Sequence, residues 1–133
     1  MDDCHDLGDF DLFRPEDVLY RRVLEHDVRD GRVTKGHCPT KQWKAGLSCN
    51  WSVVTPPERA NRRLSLILIF TVGDCRNLGI EVRYCPVVDL ADPDYNLAHC
   101  LLFLPPDVLR SRTEIDDRRR AFLQLCRLGP WRG

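Results

Sequence analysis

The sequence predicts an α+β fold, a mainly antiparallel sheet of four or five strands with a C-terminal helix packed on it, from three observations. Residues 47 to 53 alternate in polarity: Leu47, Cys49, Trp51 and Val53 point one way, Ser48, Asn50 and Ser52 the other, which is a half-buried strand. Residues 64 to 70 and 98 to 104 are apolar at almost every position, the composition of strands covered on both faces. Ala121, Phe122, Leu125 and Cys126 form an apolar stripe at helical spacing near the end of the chain.

Size and composition frame these elements. A chain of 133 residues makes one domain, and 43% hydrophobic with 30% charged residues is the composition of a folded one. Twenty basic residues offset twenty acidic ones, so no global field recruits nucleic acid or an acidic membrane. Residues 1 to 13, with five Asp, read as an acidic arm whose aromatic end docks on the body; residues 14 to 133 form the domain.

Along the chain, Pro15, Glu16 and Asp17 suit a helical first turn, whereas residues 19 to 24 also alternate as a strand would, so both readings stay open. Asp30-Gly31 between Val28 and Val33 marks a tight turn. Residues 35 to 46, with Gly36, Pro39 and Gly46, read as a polar loop carrying His37, Lys41 and Lys44 around Trp43. Pro56-Pro57 ends the alternating strand, and the apolar run from Leu64 to Phe70 is expected at the middle of the sheet. Gly79 stops one helical turn, Ile80, Val82 and Tyr84 begin another strand, and residues 86 to 97 form a surface loop. Ala98 to Leu104 is an inner strand, and Thr113 is the expected cap of a helix ending near Leu128.

Seven cysteines, an odd number with several in apolar stretches, suggest reduced thiols and a cytosolic setting. The first residues lack the basic leader and apolar core of a secretory signal, and the apolar run from Leu64 to Val72 is half of what a membrane helix needs. Cys4-His5, His37-Cys38 and His99-Cys100 give no Cys-x-x-Cys or His-x-x-x-His pair, so no metal site is expected.

The chemistry-bearing candidates are Arg21, His37, Ser48 and His99 as catalytic groups, with Arg22, Lys44, Asn50 and Ser52 as ligand contacts. Hydroxyls and an amide along one strand face can hold a ligand, and His99, sharing a face with Leu101 and Phe103, is a partly desolvated imidazole. There is no Gly-x-Ser-x-Gly elbow, and the adjacent His99 and Cys100 point to opposite faces, so sequence gives no support to a serine or cysteine nucleophile. Phosphate-loop motifs are absent as well. Arginine outnumbers lysine seventeen to three, and the run Arg118, Arg119, Arg120 offers a helix face for a partner's carboxylates or phosphates.

The segments Leu19-Tyr20-Arg21-Arg22-Val23, Leu47-Ser48, Leu78-Gly79 with Val82, and Asn96-Leu97-Ala98-His99-Cys100 resemble those of a group of small bacterial proteins of no established activity. A fainter similarity is to the ADP-ribosyltransferase fold, which implies that Arg21 and the Ser48 to Ser52 strand hold NAD, with Glu81 the formal counterpart of the catalytic acid. Two functions follow as expectations. One is an accessory domain of a multi-component system that docks on a partner protein through its acidic arm or last helix and needs no cofactor. The alternative is an enzyme acting on NAD or an RNA phosphate through an Arg/Ser/His pocket, and simple nucleic-acid binding ranks last.

Overall fold

The computed structural model describes residues 12–33, 38–57 and 66–129. The expectations for residues 1–11, for His37, for the charged connection 58–63 and for Leu64 fall outside them. Strand β1 (Val18–Arg22) and a one-turn 3-10 helix (Glu25–Asp27) precede a hairpin of β2 (Val28–Arg29) and β3 (Arg32–Val33). Helix α1 (Thr40–Ala45) leads into β4 (Leu47–Trp51), then β5 (Ile67–Thr71), α2 (Val72–Asn77), β6 (Glu81–Tyr84) and β7 (His99–Phe103). The chain closes with α3 (Pro106–Leu109), α4 (Arg112–Leu125) and β8 (Arg127–Gly129).

Six strands pair antiparallel in the order β6-β7-β4-β1-β5-β8, while β2 and β3 stand apart as a hairpin. The fold class is therefore as read, with one strand more than the four or five expected. The additional edge is β8. Its residues lay in the expected tail of the last helix, but Cys126 turns to extended backbone (φ −71°, ψ 140°) and Arg127 pairs with Ile69. Edge pairing satisfies backbone groups of β5 that one further helical turn would leave open.

Strand parity sorts the side chains. Leu19, Leu47, Cys49, Phe70, Val82, Cys100 and Leu102 face Trp43, Cys75, Val108, Ile115 and Phe122 in one buried cluster. The reverse face holds a smaller cluster of Tyr20, Ile67 and Ile69 with Val18. The expected alternation holds over 47–51, with Leu47 and Cys49 buried, Ser48 exposed and Asn50 half-buried, but not on to 53, because the strand ends at Trp51 in a turn that leaves Val53 71% exposed. The open question at residues 15–26 resolves to a strand over Val18–Arg22 only, between a turn at Pro15-Glu16 and the 3-10 helix from Glu25, and Phe13 docks as expected, buried with its ring 4.6 Å from that of Trp51.

Three placements differ from expectation. The 64–70 run is not central: β5 lies next to the edge strand β8, and β4 and β1 hold the middle. It is apolar on both sides because Leu68 and Phe70 face the helix side while Ile67 and Ile69 build the small reverse cluster. The polar loop 35–46 contains α1, whose Trp43 is fully buried edge-on to Phe122. Ser111, not Thr113, caps α4, its Oγ accepting from the Glu114 N–H at 3.3 Å.

Two turns carry sequence information outright. Asp30 and Gly31 both take positive φ (54° and 74°), the twist a two-residue hairpin requires. Gly46, which joins α1 to β4, has φ 99° and ψ 124°, and a Cβ there would lie 2.9 Å from the Phe103 ring. Only glycine adopts that backbone at no cost, so Gly46→Ala is expected to destabilise the fold by about 1–3 kcal/mol. Urea unfolding reads this directly, and an unchanged midpoint would show that the turn relaxes freely.

Candidate functional site

The site lies on the reverse face of the sheet, at the seam of β4 and β7. Their register sets Ser48 opposite Leu101 and Asn50 opposite His99, so Ser48 and His99 are diagonal neighbours on one face, within side-chain reach. The His99 Nε2 lies 3.0 Å from the Ser48 Oγ. On its other side the ring Nδ1 is 2.8 Å from the main-chain oxygen of Cys85. The Cys85 N–H in turn donates to the His99 carbonyl at 2.9 Å. One residue, Cys85, thus grips the histidine at backbone and ring and sets the ring's orientation.

This arrangement decides the tautomer. A carbonyl oxygen can only accept, so Nδ1 carries the proton, and in the neutral ring Nε2 is left as the acceptor for the serine hydroxyl. Ser48 is exposed and His99 half-buried, so a ligand can approach the hydroxyl from solvent.

The surrounding polar groups hold the frame. Asn96 donates from Nδ2 to the Asn50 Oδ1 at 2.5 Å and accepts the Ala98 N–H on its own Oδ1 at 3.0 Å. With the Val87 to Asn96 bridge and the Tyr84 hydroxyl donating to the Leu97 carbonyl at 2.7 Å, these bonds tie the 86–97 loop to the start of β7. Asn96→Ala would leave the half-buried Asn50 amide without its partner, an expected loss of about 1–3 kcal/mol, measurable as a lower thermal midpoint.

Of the expected catalytic residues, Ser48 and His99 come together and Arg21 does not join them. Arg21 shares the parity of Leu19 and Val23, on the helix-covered side, where it donates to the Ser48 carbonyl at 2.7 Å and to the Gln42 Oε1 at 2.9 Å. Arg22 has the opposite parity; continuing the β1–β4 register from the Tyr20–Asn50 pair places it across from Ser48. It is exposed, and among the described residues it makes no ion pair.

The other candidates lie apart. The Ser52 hydroxyl donates to the Val18 carbonyl at 2.8 Å, and Lys44 is exposed on α1, the helix that covers the opposite face. Glu81 is paired with Arg83 at 2.9 Å on the edge strand. In the arginine run, Arg118 donates to the Leu78 carbonyl, Arg119 is largely covered beside Asp116, and Arg120 alone stands well exposed, 3.5 Å from Asp117.

The thiols belong to the core. Cys38, Cys49, Cys75, Cys100 and Cys126 are free thiols, as expected. Burial pushes the Cys38 thiol from 9.0 up to about 11, with Arg21 and Arg119 pulling the other way. Burial likewise raises Cys49 and Cys75, so none of these three is a ready nucleophile.

A raised thiol pKa means the folded chain keeps a proton that the unfolded chain gives up. For Cys38 the resulting stability is complete below pH 9 and is lost as pH rises to about 11, a difference of about 3 kcal/mol. Urea unfolding at pH 8 and pH 10.5 should show the fall, and Cys38→Ala should make it smaller by the Cys38 share, leaving that of the other buried thiols.

Among the described residues no group of three or more His, Cys, Asp or Glu side chains is placed to hold a metal ion, and no helix is long and apolar enough to cross a membrane. No family model, no curated protein and no solved structure matches the chain. The residues of the site therefore carry the functional argument by themselves.

Proposed function

We propose that the protein is a serine-dependent hydrolase or acyl transferase in which Ser48 is the nucleophile and His99 its general base. The observation that carries this reading is the double engagement of His99, Nδ1 to the Cys85 carbonyl and Nε2 to the Ser48 Oγ. It leaves the basic nitrogen aimed at an exposed hydroxyl, the geometry by which a serine is activated.

In the first step the Ser48 Oγ bonds to the carbonyl carbon of an ester as its proton passes to Nε2. The leaving alkoxide then takes that proton from the imidazolium, and water, deprotonated in the same way, releases the acid and restores the serine. The Cys85 carbonyl, a dipole in place of a carboxylate, steadies the imidazolium. Arg22, on the same face one strand away, is the candidate for holding negative charge on the substrate.

The test uses a fluorophosphonate, which transfers its phosphonyl group to an activated serine with loss of fluoride. Intact-mass measurement should show a single adduct on the full chain, located at Ser48 by peptide mapping and absent from Ser48→Ala. A folded wild-type chain that takes up no adduct would falsify the assignment.

Docking on a partner protein is a second reading, favoured by the 86–97 loop, where Val88 is 66% and Leu90 81% exposed. Two such side chains on one loop suit an interface. Val88→Asp with Leu90→Asp should abolish co-purification of a partner and leave Ser48 labelling intact, which separates the two readings. Co-purification unchanged in that variant would remove the docking reading.

A further inference from the structure

On the helix-covered side, apart from Ser48 and His99, the β2–β3 hairpin, the second half of α4 and strands β5 and β8 surround a cavity of about 640 Å³. That volume falls in the range of small-molecule sites, roughly 300–1,000 Å³. Its wall has two characters. Val33, Leu68, Leu123 and Leu128 supply an apolar surface, and Arg32 from the hairpin and Arg120 from α4 are the two cationic residues of its lining.

The charge is one-sided. Among the described residues no acidic side chain lines the cavity, and its other polar groups are the neutral Gln124 amide and the Cys126 thiol, kept protonated by burial. Asp117 lies 3.5 Å from Arg120, outside the lining, in a pair with both members more than 60% exposed. Such a pair holds its arginine weakly and yields readily to a better anion. Guanidinium groups match planar oxyanions bidentately.

We propose that this cavity binds an amphipathic anion, an aliphatic carboxylate. Its chain lies against Leu68, Leu123 and Leu128, and its headgroup meets Arg32 and Arg120. The apolar wall selects a chain over a bare ion, and the arginines select the acid over the alcohol. The inference stands independently of the serine-histidine reading, because it uses none of the same residues.

Calorimetric titration of the full chain with straight-chain carboxylates from butanoate to decanoate tests it. Affinity should rise about three- to fourfold per added methylene until the cavity is full. Decanol should bind at least tenfold more weakly than decanoate. Arg32→Gln with Arg120→Gln should lower decanoate affinity at least tenfold and leave decanol unchanged, since both arginines are exposed and the fold does not rest on them. Leu123→Trp, with its fold checked by circular dichroism, should weaken acid and alcohol alike. Absence of saturable decanoate binding, equal affinity for decanol and decanoate, or an unaltered decanoate affinity in the double-arginine variant would each overturn the proposal.

Discussion

Converting His99 to glutamine is expected to slow phosphonylation of Ser48 by about two to four orders of magnitude, the range that a positioned general base supplies. Glutamine can still hydrogen-bond the hydroxyl but cannot take its proton at neutral pH, so the substitution separates positioning from proton transfer. Because the ring also bonds the Cys85 carbonyl at 2.8 Å, a modest stability loss is expected alongside. The thermal midpoint measured on the same sample distinguishes the two effects: a folded variant with a large rate loss is the expected result. A rate within tenfold of wild type would mean that Ser48 reacts without the histidine. Arg22→Gln should then separate substrate charge from chemistry, with little change toward a neutral phosphonate and a weaker reaction with an anionic ester.

The second large effect is on folding. Phe122 is fully buried on α4, with ring centroids 5.5 Å from Trp43 and 4.9 Å from Phe70, both edge-on. It is the point where α1 and α4 meet the sheet. Phe122→Ala removes the ring from both contacts and leaves a hole that three different elements would have to close. The expected loss is about 3–5 kcal/mol, a large share of the 5–15 kcal/mol that holds a domain of this kind together. Denaturant unfolding should show the midpoint falling with little change of slope. A loss under about 1 kcal/mol would mean that the helices collapse onto the sheet without it.

Much of the sheet was legible because strand parity is a local property. Alternation over 47–51 told which side chains faced inward, and it also put Ser48 and Asn50 on the face where they lie. The Asp30-Gly31 turn was equally local, since positive φ at two successive residues demands those residue types. Helix α1 was missed because a six-residue helix carries too little periodicity to outweigh Gly36, Pro39 and Gly46. Strand β8 was missed because nothing in Arg127 to Gly129 prefers a strand until the β5 edge is there to pair with.

The pairing of Ser48 with His99 shows the same limit at the site. Both were candidates, yet no local motif joins residues 51 positions apart, and a nucleophile and base that meet across two strands leave no signature in neighbouring residues.

The amino-acid sequence by itself determined which surface of each strand is oily, where the hairpin turns, that Ser48 stands on a polar face and that His99 shares a face with Leu101 and Phe103. Those properties follow from the geometry of a few consecutive residues. The tertiary structure alone decided that β4 pairs with β7 in the register that brings the serine to the imidazole, that Cys85 orients the ring, and that Arg22, not Arg21, shares their face. Register between distant strands is set by the burial of the whole core at once, because sliding one strand by a residue would turn its entire apolar set outward.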